Sequence, residues 1–240
     1  MLTLLTDTPL GTLVAERPSR AKTLEKYGLD YCCHGKRTLA NACSQRNLNI
    51  DTVLHDLFQN DLTIPLEEEI DWKDVPLSQL TEHIVTTHHA YLRENLPRLT
   101  LLTTKVRDAH AKHHPELEPL AETFASFRSE LESHMQKEEG VLFPLIQTLE
   151  NASTLPTFHC GSVNKPIRVM EHEHDNAGEA LEAMRRLTND YTPPKDACNT
   201  YCVMLNALAE LETDLHLHVH KENNILFPRA AEREAQLASE

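Results

Sequence analysis

Apolar residues recur at helical spacing along most of the chain. In the first long segment, from about Pro76 to His110, Leu77, Leu80 and Ile84 fall on one side, which is typical of an amphipathic helix. The same pattern continues in three further segments, residues 115–149, 165–189 and 194–235. Because short connections join long amphipathic helices, the pattern predicts an up-down-up-down four-helix bundle.

Residues 1–60 predict a smaller helical domain. Pro9 and Pro18 mark two helix starts, since proline is favoured in the first turn of a helix. Gly28 is placed to end the second of these helices, because glycine readily adopts the left-handed conformation found after a helix. Two more short helices are predicted at about residues 37–46 and 51–59.

A linker is predicted at residues 61–73, which contain Pro65 and an acidic run. The bundle then occupies residues 74–240. The chain is therefore expected to be all-α, with a small helical domain, a linker and a four-helix bundle. Inter-subunit contact through the small domain, giving a homodimer, is an open possibility because its short helices offer limited core.

Charge and composition narrow the choice of partners. The net charge of −14 over 240 residues argues against nucleic acid or an anionic membrane surface as a partner. No apolar run approaches the ~20 residues of a membrane-spanning helix, and the first ten residues lack the basic region of a signal peptide. The six cysteines do not form a disulfide framework in a chain of this length. A cytoplasmic protein is expected.

An internal repeat carries the candidate chemistry. Residues 134–144 and 218–228 both read His-x-x-Lys-Glu-x-x-x-Leu-Phe-Pro. A histidine cluster precedes each copy, His88/His89 before the first and His172/His174 before the second. The bundle is therefore predicted to contain two helix hairpins of similar design, each with the same set of metal ligands.

Histidine and glutamate at positions i and i+4 share one face of a helix. Two such pairs with a histidine from each partner helix supply four imidazoles and two carboxylates, which suits iron or manganese, with zinc possible. Carboxylates bridge metals readily, which favours two ions. The order and spacing differ from the Glu-x-x-His of ferritin-like proteins and match hemerythrin-like bundles. Periodicity alone does not decide whether His88 or His89 is the metal ligand, and it leaves the same choice open between His172 and His174.

In these motifs the chain resembles the Repair of Iron Centres family, di-iron proteins that restore damaged iron–sulfur clusters. The resemblance lies in residues 27–35, 89–97, 134–144, 170–178 and 218–229. It implies two iron ions per chain in an oxo- or hydroxo-bridged centre, with both glutamates bridging. The implied ligands are His89, His134, Glu138, His174, His218 and Glu222.

Cysteines of the small domain form the second candidate feature. The resemblance favours a functional thiol pair at Cys32 and Cys33 over simple packing, although neighbouring cysteines are not expected to chelate as a C-x-x-C pair does. His34 stands where the family usually has glycine, which leaves open whether the small domain offers an extra imidazole near Cys32 and Cys33. Cys198 and Cys202 are expected to be packing residues. The remaining histidines, including His220, are expected at the surface.

The coordination count bears on the function that the resemblance implies. Four histidines and two bridging glutamates fill about eight of roughly twelve positions at two octahedral irons, which leaves a site less saturated than that of oxygen-carrying hemerythrins. The resemblance implies a protein that repairs clusters damaged by nitrosative or oxidative stress, by supplying iron or handling nitric oxide, more than a turnover enzyme. Its expected partners are damaged iron–sulfur proteins, with nitric oxide or oxygen as small ligands. Two rival hypotheses are a di-iron enzyme that reduces nitric oxide or peroxide, and a gas-binding sensor.

Overall fold

The computed structural model describes residues 5–63 and 70–239, and within these ranges the chain is helical without a β-strand. This confirms the predicted all-α class. None of the described helices is long and apolar enough to cross a lipid bilayer. The helices are α1 Leu10–Glu16, α2 Arg20–Lys26, α3 Leu39–Gln45, α4 Ile50–Thr63, α5 Leu77–His83, π1 Ile84–His89, α6 Ala90–His110, α7 Leu117–Lys137, π2 Glu138–Leu142, α8 Phe143–Asn151, α9 Asn164–Leu187, α10 Asn199–Lys221, π3 Glu222–Leu226 and α11 Phe227–Ser239.

The four short N-terminal helices form where the sequence predicts them. Pro9 is the residue before α1, and Gly28 follows the end of α2 with a φ of +62°, a conformation that glycine adopts without steric cost. α4 differs from its predicted end, because it continues to Thr63 and so passes into the predicted linker. Residues 64–69 of that linker lie outside the described residues.

The four predicted long helices are all present, but three contain a π-helical turn. The first long helix runs through α5, π1 and α6, the second through α7, π2 and α8, and the fourth through α10, π3 and α11. The third, α9, is α-helical throughout. Such turns contain one residue more than an α-turn and are frequent at functional sites.

The contacts divide the chain into two compact units, as far as its residues are described. Unit 1 contains residues 1–80, 149–155 and 216–240, and unit 2 contains residues 81–148 and 156–215. The predicted domains follow the order of the chain, whereas unit 1 joins the first helices to the last one. One cause is Arg229 of α11, whose guanidinium donates to the carbonyls of Trp72 and Val75 at 2.9 and 2.6 Å.

Each unit has its own apolar core. In unit 1 the side chains of Leu13, Leu24 and Leu39 are completely buried. In unit 2 α7 packs against both α6 and α9, and Leu96 of α6 and Phe124 of α7 are buried. These cores hold the helices that carry the candidate ligands.

Candidate metal centre

The π-turns lie at the candidate ligands. His89 is the last residue of π1, Glu138 is the first residue of π2, and Glu222 is the first residue of π3. His134 and His218 stand four residues before the two glutamates, on the preceding α-helical turn. Each copy of the repeat therefore places a histidine and a glutamate one turn apart, immediately before a local widening of the helix.

All six candidate ligands are buried. Glu138 and Glu222 are 0% exposed, and the four histidines are at most 3% exposed. A carboxylate withdrawn from water to this extent is stable only when it is paired or coordinates a metal. Imidazoles lie close to both carboxylates, with Glu138 Oε2 at 3.3 Å from His89 Nε2 and Glu222 Oε1 at 3.0 Å from His218 Nε2.

The structure brings the six candidates together in two groups. Each group contains two histidines and both glutamates, and its ligand atoms lie within 4.8 Å of one another. Because Glu138 and Glu222 belong to both groups, the arrangement suits two cations that share the carboxylates. The first group is His89, Glu138, His218 and Glu222, and the second is His134, Glu138, His174 and Glu222.

The ring orientation of two ligands fits metal binding. His89 Nδ1 lies 2.6 Å from Glu139 Oε1, and His134 Nδ1 lies 2.9 Å from Glu173 Oε2. In each neutral ring the proton is therefore on Nδ1, and Nε2 turns a lone pair towards the other ligand atoms. His174 Nε2 faces His134 Nε2 at 3.1 Å. Nitrogen and carboxylate lone pairs gathered this closely are the donor set that a cation requires.

Two glutamates beside the site were missed by the sequence analysis. Glu139 accepts from His89 and from Arg93, whose Nη2 lies at 2.5 Å, and Glu173 accepts from His134 and Lys137. Although partial burial opposes their ionisation, these hydrogen bonds hold the pKa of both carboxyls below the usual range. Such carboxylates fix the orientation and raise the basicity of a ligand imidazole.

The structure separates the members of both histidine clusters. His89 and His174 belong to the two groups. His88 is buried, but its Nδ1 lies 2.9 Å from Asp214 Oδ1, and His172 is exposed.

The surface position expected for His220 is wrong. Its ring is 3% exposed and packs edge-on against Tyr31 with centroids 5.4 Å apart. Burial lowers the pKa of His220 to about 4, so the ring is neutral at physiological pH. The histidine is buried because Tyr31, from a distant part of the sequence, covers it.

Cys32 and Cys33 lie in a tight turn after α2. Their Sγ atoms are 3.8 Å apart, and Asp30 Oδ1 accepts hydrogen bonds from the backbone N–H of both cysteines at 3.0 Å. A hydrogen bond with Cys33 and burial raise the pKa of the Cys32 thiol well above its usual range. His34, the departure from the family pattern, has its Nδ1 at 2.5 Å from Asp30 Oδ2.

The packing role expected for Cys198 is wrong, because its side chain is exposed. It stands just before α10, and hydrogen bonds from the backbone of Tyr201 and the ring of His110 lower its pKa to about 7. Cys202 is half-buried. Because Cys198 lies at the start of a helix, its surroundings favour the thiolate form of the side chain.

Comparison with known proteins agrees with this geometry. Residues 80–230 match the family model described as the hemerythrin HHE cation binding domain, and residues 6–61 match ScdA_N, a domain of unknown function. The iron-sulfur cluster repair protein YtfE of Citrobacter koseri is 40% identical over 224 residues, which cover 93% of this chain and 96% of that protein. YtfE of Escherichia coli O81 is 41% identical with the same coverage. This chain belongs to the Repair of Iron Centres family. Iron binding by the hemerythrin domain of a Repair of Iron Centres protein fits the imidazole and carboxylate donors described above.

Proposed function

We propose that this protein binds two iron ions and repairs iron–sulfur clusters damaged by nitrosative or oxidative stress in the cytoplasm. The observation that carries the proposal is the pair of ligand groups that share Glu138 and Glu222. The relatives named for iron–sulfur cluster repair cover 93% of the chain and so support the same activity here. Damaged iron–sulfur proteins are the proposed partners.

The proposed ligands are His89, His134, Glu138, His174, His218 and Glu222. When bound, the iron pair supplies both exchangeable cargo for cluster repair and a centre with affinity for nitric oxide. The charge of the ligands favours release, because four neutral imidazoles and two carboxylates offset only half the charge of two ferrous ions. Glu139 and Glu173 hold two of the rings in place, and Phe143 stacks on His89 with centroids 5.9 Å apart and shields that ring from water.

The thiols of Cys32 and Cys33 are proposed to take part in handing the cargo over. Both lie in one turn, and Cys33 is half-buried and so open to a partner from one side. A thiol can accept iron or a nitrosyl group, or exchange with a partner's thiol.

Metal content and repair are measured together. Protein purified without oxygen is analysed for iron and by Mössbauer spectroscopy, and is then added to an enzyme whose cluster has been damaged by nitric oxide. We expect two coupled irons per chain and faster recovery of enzyme activity than a matched iron salt gives. His134→Ala and Glu222→Ala should lose both. A protein that binds iron but restores no more activity than the salt would disprove repair, and zinc alone would disprove the iron centre.

A further inference from the structure

A carboxylate and two thiols converge in the turn at Asp30, Cys32 and Cys33. Their ligand atoms lie within 4.8 Å of one another, and Cys32 Sγ lies 3.2 Å from Asp30 Oδ1. Neighbouring cysteines are not expected to chelate a metal as a C-x-x-C pair does. Here the backbone N–H groups of both cysteines donate to Asp30, and in the turn held this way the two Sγ atoms lie 3.8 Å apart.

The spacing of the sulfurs fits a metal ion. Two thiolates bound to one tetrahedral ion at about 2.3 Å stand about 3.8 Å apart, and the Sγ atoms of Cys32 and Cys33 are 3.8 Å apart. From this geometry we propose that Asp30, Cys32 and Cys33 form a second metal site, which takes a thiolate-preferring divalent cation such as Fe²⁺ or Zn²⁺. Three protein ligands leave the fourth tetrahedral position to water or to a thiolate of a partner protein.

Hydrogen bonds from π3, a part of the fourth long helix, hold the turn in place. Asn224 Nδ2 donates to the carbonyls of Tyr31 and Cys32 at 3.2 and 3.1 Å. The Asn224 side chain lies against two glycines, where a Cβ on Gly11 would come within 2.1 Å of its Oδ1 and one on Gly35 within 2.4 Å. The backbone on which the sulfurs stand is therefore fixed before any cation arrives, as a metal site requires.

Asp30 is oriented as well. His34 Nδ1 binds Asp30 Oδ2 at 2.5 Å, while Oδ1 faces the Cys32 thiol. His34 is thus a positioning residue, since it acts on the metal only through the carboxylate. This gives the histidine that departs from the family pattern a specific role.

The chemistry of binding balances without a redox step. The cation forms two metal–sulfur bonds, the two thiols lose their S–H protons to the solvent, and no electron moves. Because Asn224 lies in π3, two residues after Glu222, the turn is tied to the helix that carries two proposed iron ligands. Its use as a transit site for iron leaving the protein rests on the function proposed above.

The test uses Co²⁺, which gives an intense sulfur-to-metal absorption in the near ultraviolet only when thiolates bind it. Full-length, iron-loaded protein is titrated with Co²⁺ and the change in absorption is recorded, so that the histidine and glutamate centre, which is already filled and contains no sulfur, gives only a constant background. We expect one equivalent to produce the band. Cys32→Ser and Cys33→Ser should abolish it, and Asp30→Asn should weaken binding at least 10-fold.

Cys198→Ser is the matched control, because it removes an exposed thiol with a lowered pKa from another part of the chain. It should leave the band unchanged. His34→Ala should weaken binding by about 10- to 100-fold without changing the shape of the band, whereas a general loss of structure would also reduce the helical circular dichroism. Absence of the band in the wild type, or its persistence in Cys33→Ser, would overturn the second site.

Repair measured on the same variants separates the two proposals. If Cys33→Ser loses the band yet restores damaged clusters at the wild-type rate, the transit role is refuted and the proposed function stands. If the wild type shows the band but restores no clusters, the proposed function fails while the metal site remains.

Discussion

Gly35→Ala should damage the cysteine turn, and Gly140→Ala should not. A Cβ at Gly35 would lie 2.5 Å from the backbone carbonyl oxygen of Tyr31, which cannot rotate away. Gly35 has no positive φ, so the effect of alanine is steric. Overpacking of this kind costs about 1–3 kcal/mol, and displacement of the turn from Asn224 weakens two hydrogen bonds worth about 1 kcal/mol each. We therefore expect a loss of roughly 2–4 kcal/mol in the free energy of unfolding.

Gly140 occupies the position of the first repeat that corresponds to Asn224, and a Cβ there meets nothing within 4 Å. Alanine in this π-helical turn should be neutral or should stabilise by up to about 1 kcal/mol. Urea unfolding followed by the fluorescence of Trp72, the one tryptophan of the chain, reports on unit 1, which contains the cysteine turn. A Gly35→Ala midpoint equal to or above that of the wild type would refute the steric reasoning.

Three further predictions concern the ligands and the exposed thiol. His174→Ala should lose iron. His172→Ala changes an exposed ring two residues away and should keep its iron. Equal iron content in the two variants would contradict the assignment of His174 as a ligand. After removal of metal by a chelator, Glu222→Gln should raise the urea midpoint. The variant removes repulsion between two buried carboxylates whose ligand oxygens lie within 4.8 Å of each other, which amounts to at least about 3.5 kcal/mol at an effective dielectric constant of 20. A urea midpoint below that of the metal-free wild type would contradict this reasoning. Alkylation of Cys198, followed by mass spectrometry, should rise only about 10-fold from pH 6 to pH 8 and then level off. Its pKa is about 7, so half of it is thiolate at that pH, whereas the thiolate fraction of an unperturbed thiol of pKa about 8.5 rises about 75-fold over the same range.

The fold and the ligand motifs could be predicted because they are local. Apolar spacing specifies the long helices, and the identical His-x-x-Lys-Glu blocks specify the paired ligands. Periodicity alone left His172 and His174 undecided; in the structure, His174 follows the α-helical spacing of Ile167 and Met170 along α9, and all three are buried.

At His88 and His89, α-helical spacing points to the wrong histidine, because the π-helical turn π1 interrupts the α-helix. Four residues after the buried Ile84, an α-helix would turn His88 to the same face, whereas the wider π-turn brings His89 there at the fifth residue. Glu139, Glu173 and His220 were missed for a different reason. Their partners are distant in the sequence and become neighbours only in the fold.

The two copies of the repeat use their π-turns for different purposes. In the first copy Glu139 follows the proposed ligand Glu138 and binds the ring of His89. In the second copy the corresponding residue is Asn223, and the next residue, Asn224, holds the backbone of the cysteine turn.

The difference extends one turn earlier in each helix. Gln136 of the first copy is exposed, whereas the corresponding His220 is buried against Tyr31, the residue before the thiol pair. Ligands shared by both copies can build a nearly symmetric metal centre, but only the second copy is joined to thiols. If iron leaves through these thiols, substitutions at Asn224 should slow its release while the matching substitutions at Gly140 should not. Equal release rates in the two sets of variants would show that the asymmetry of the repeat serves stability alone.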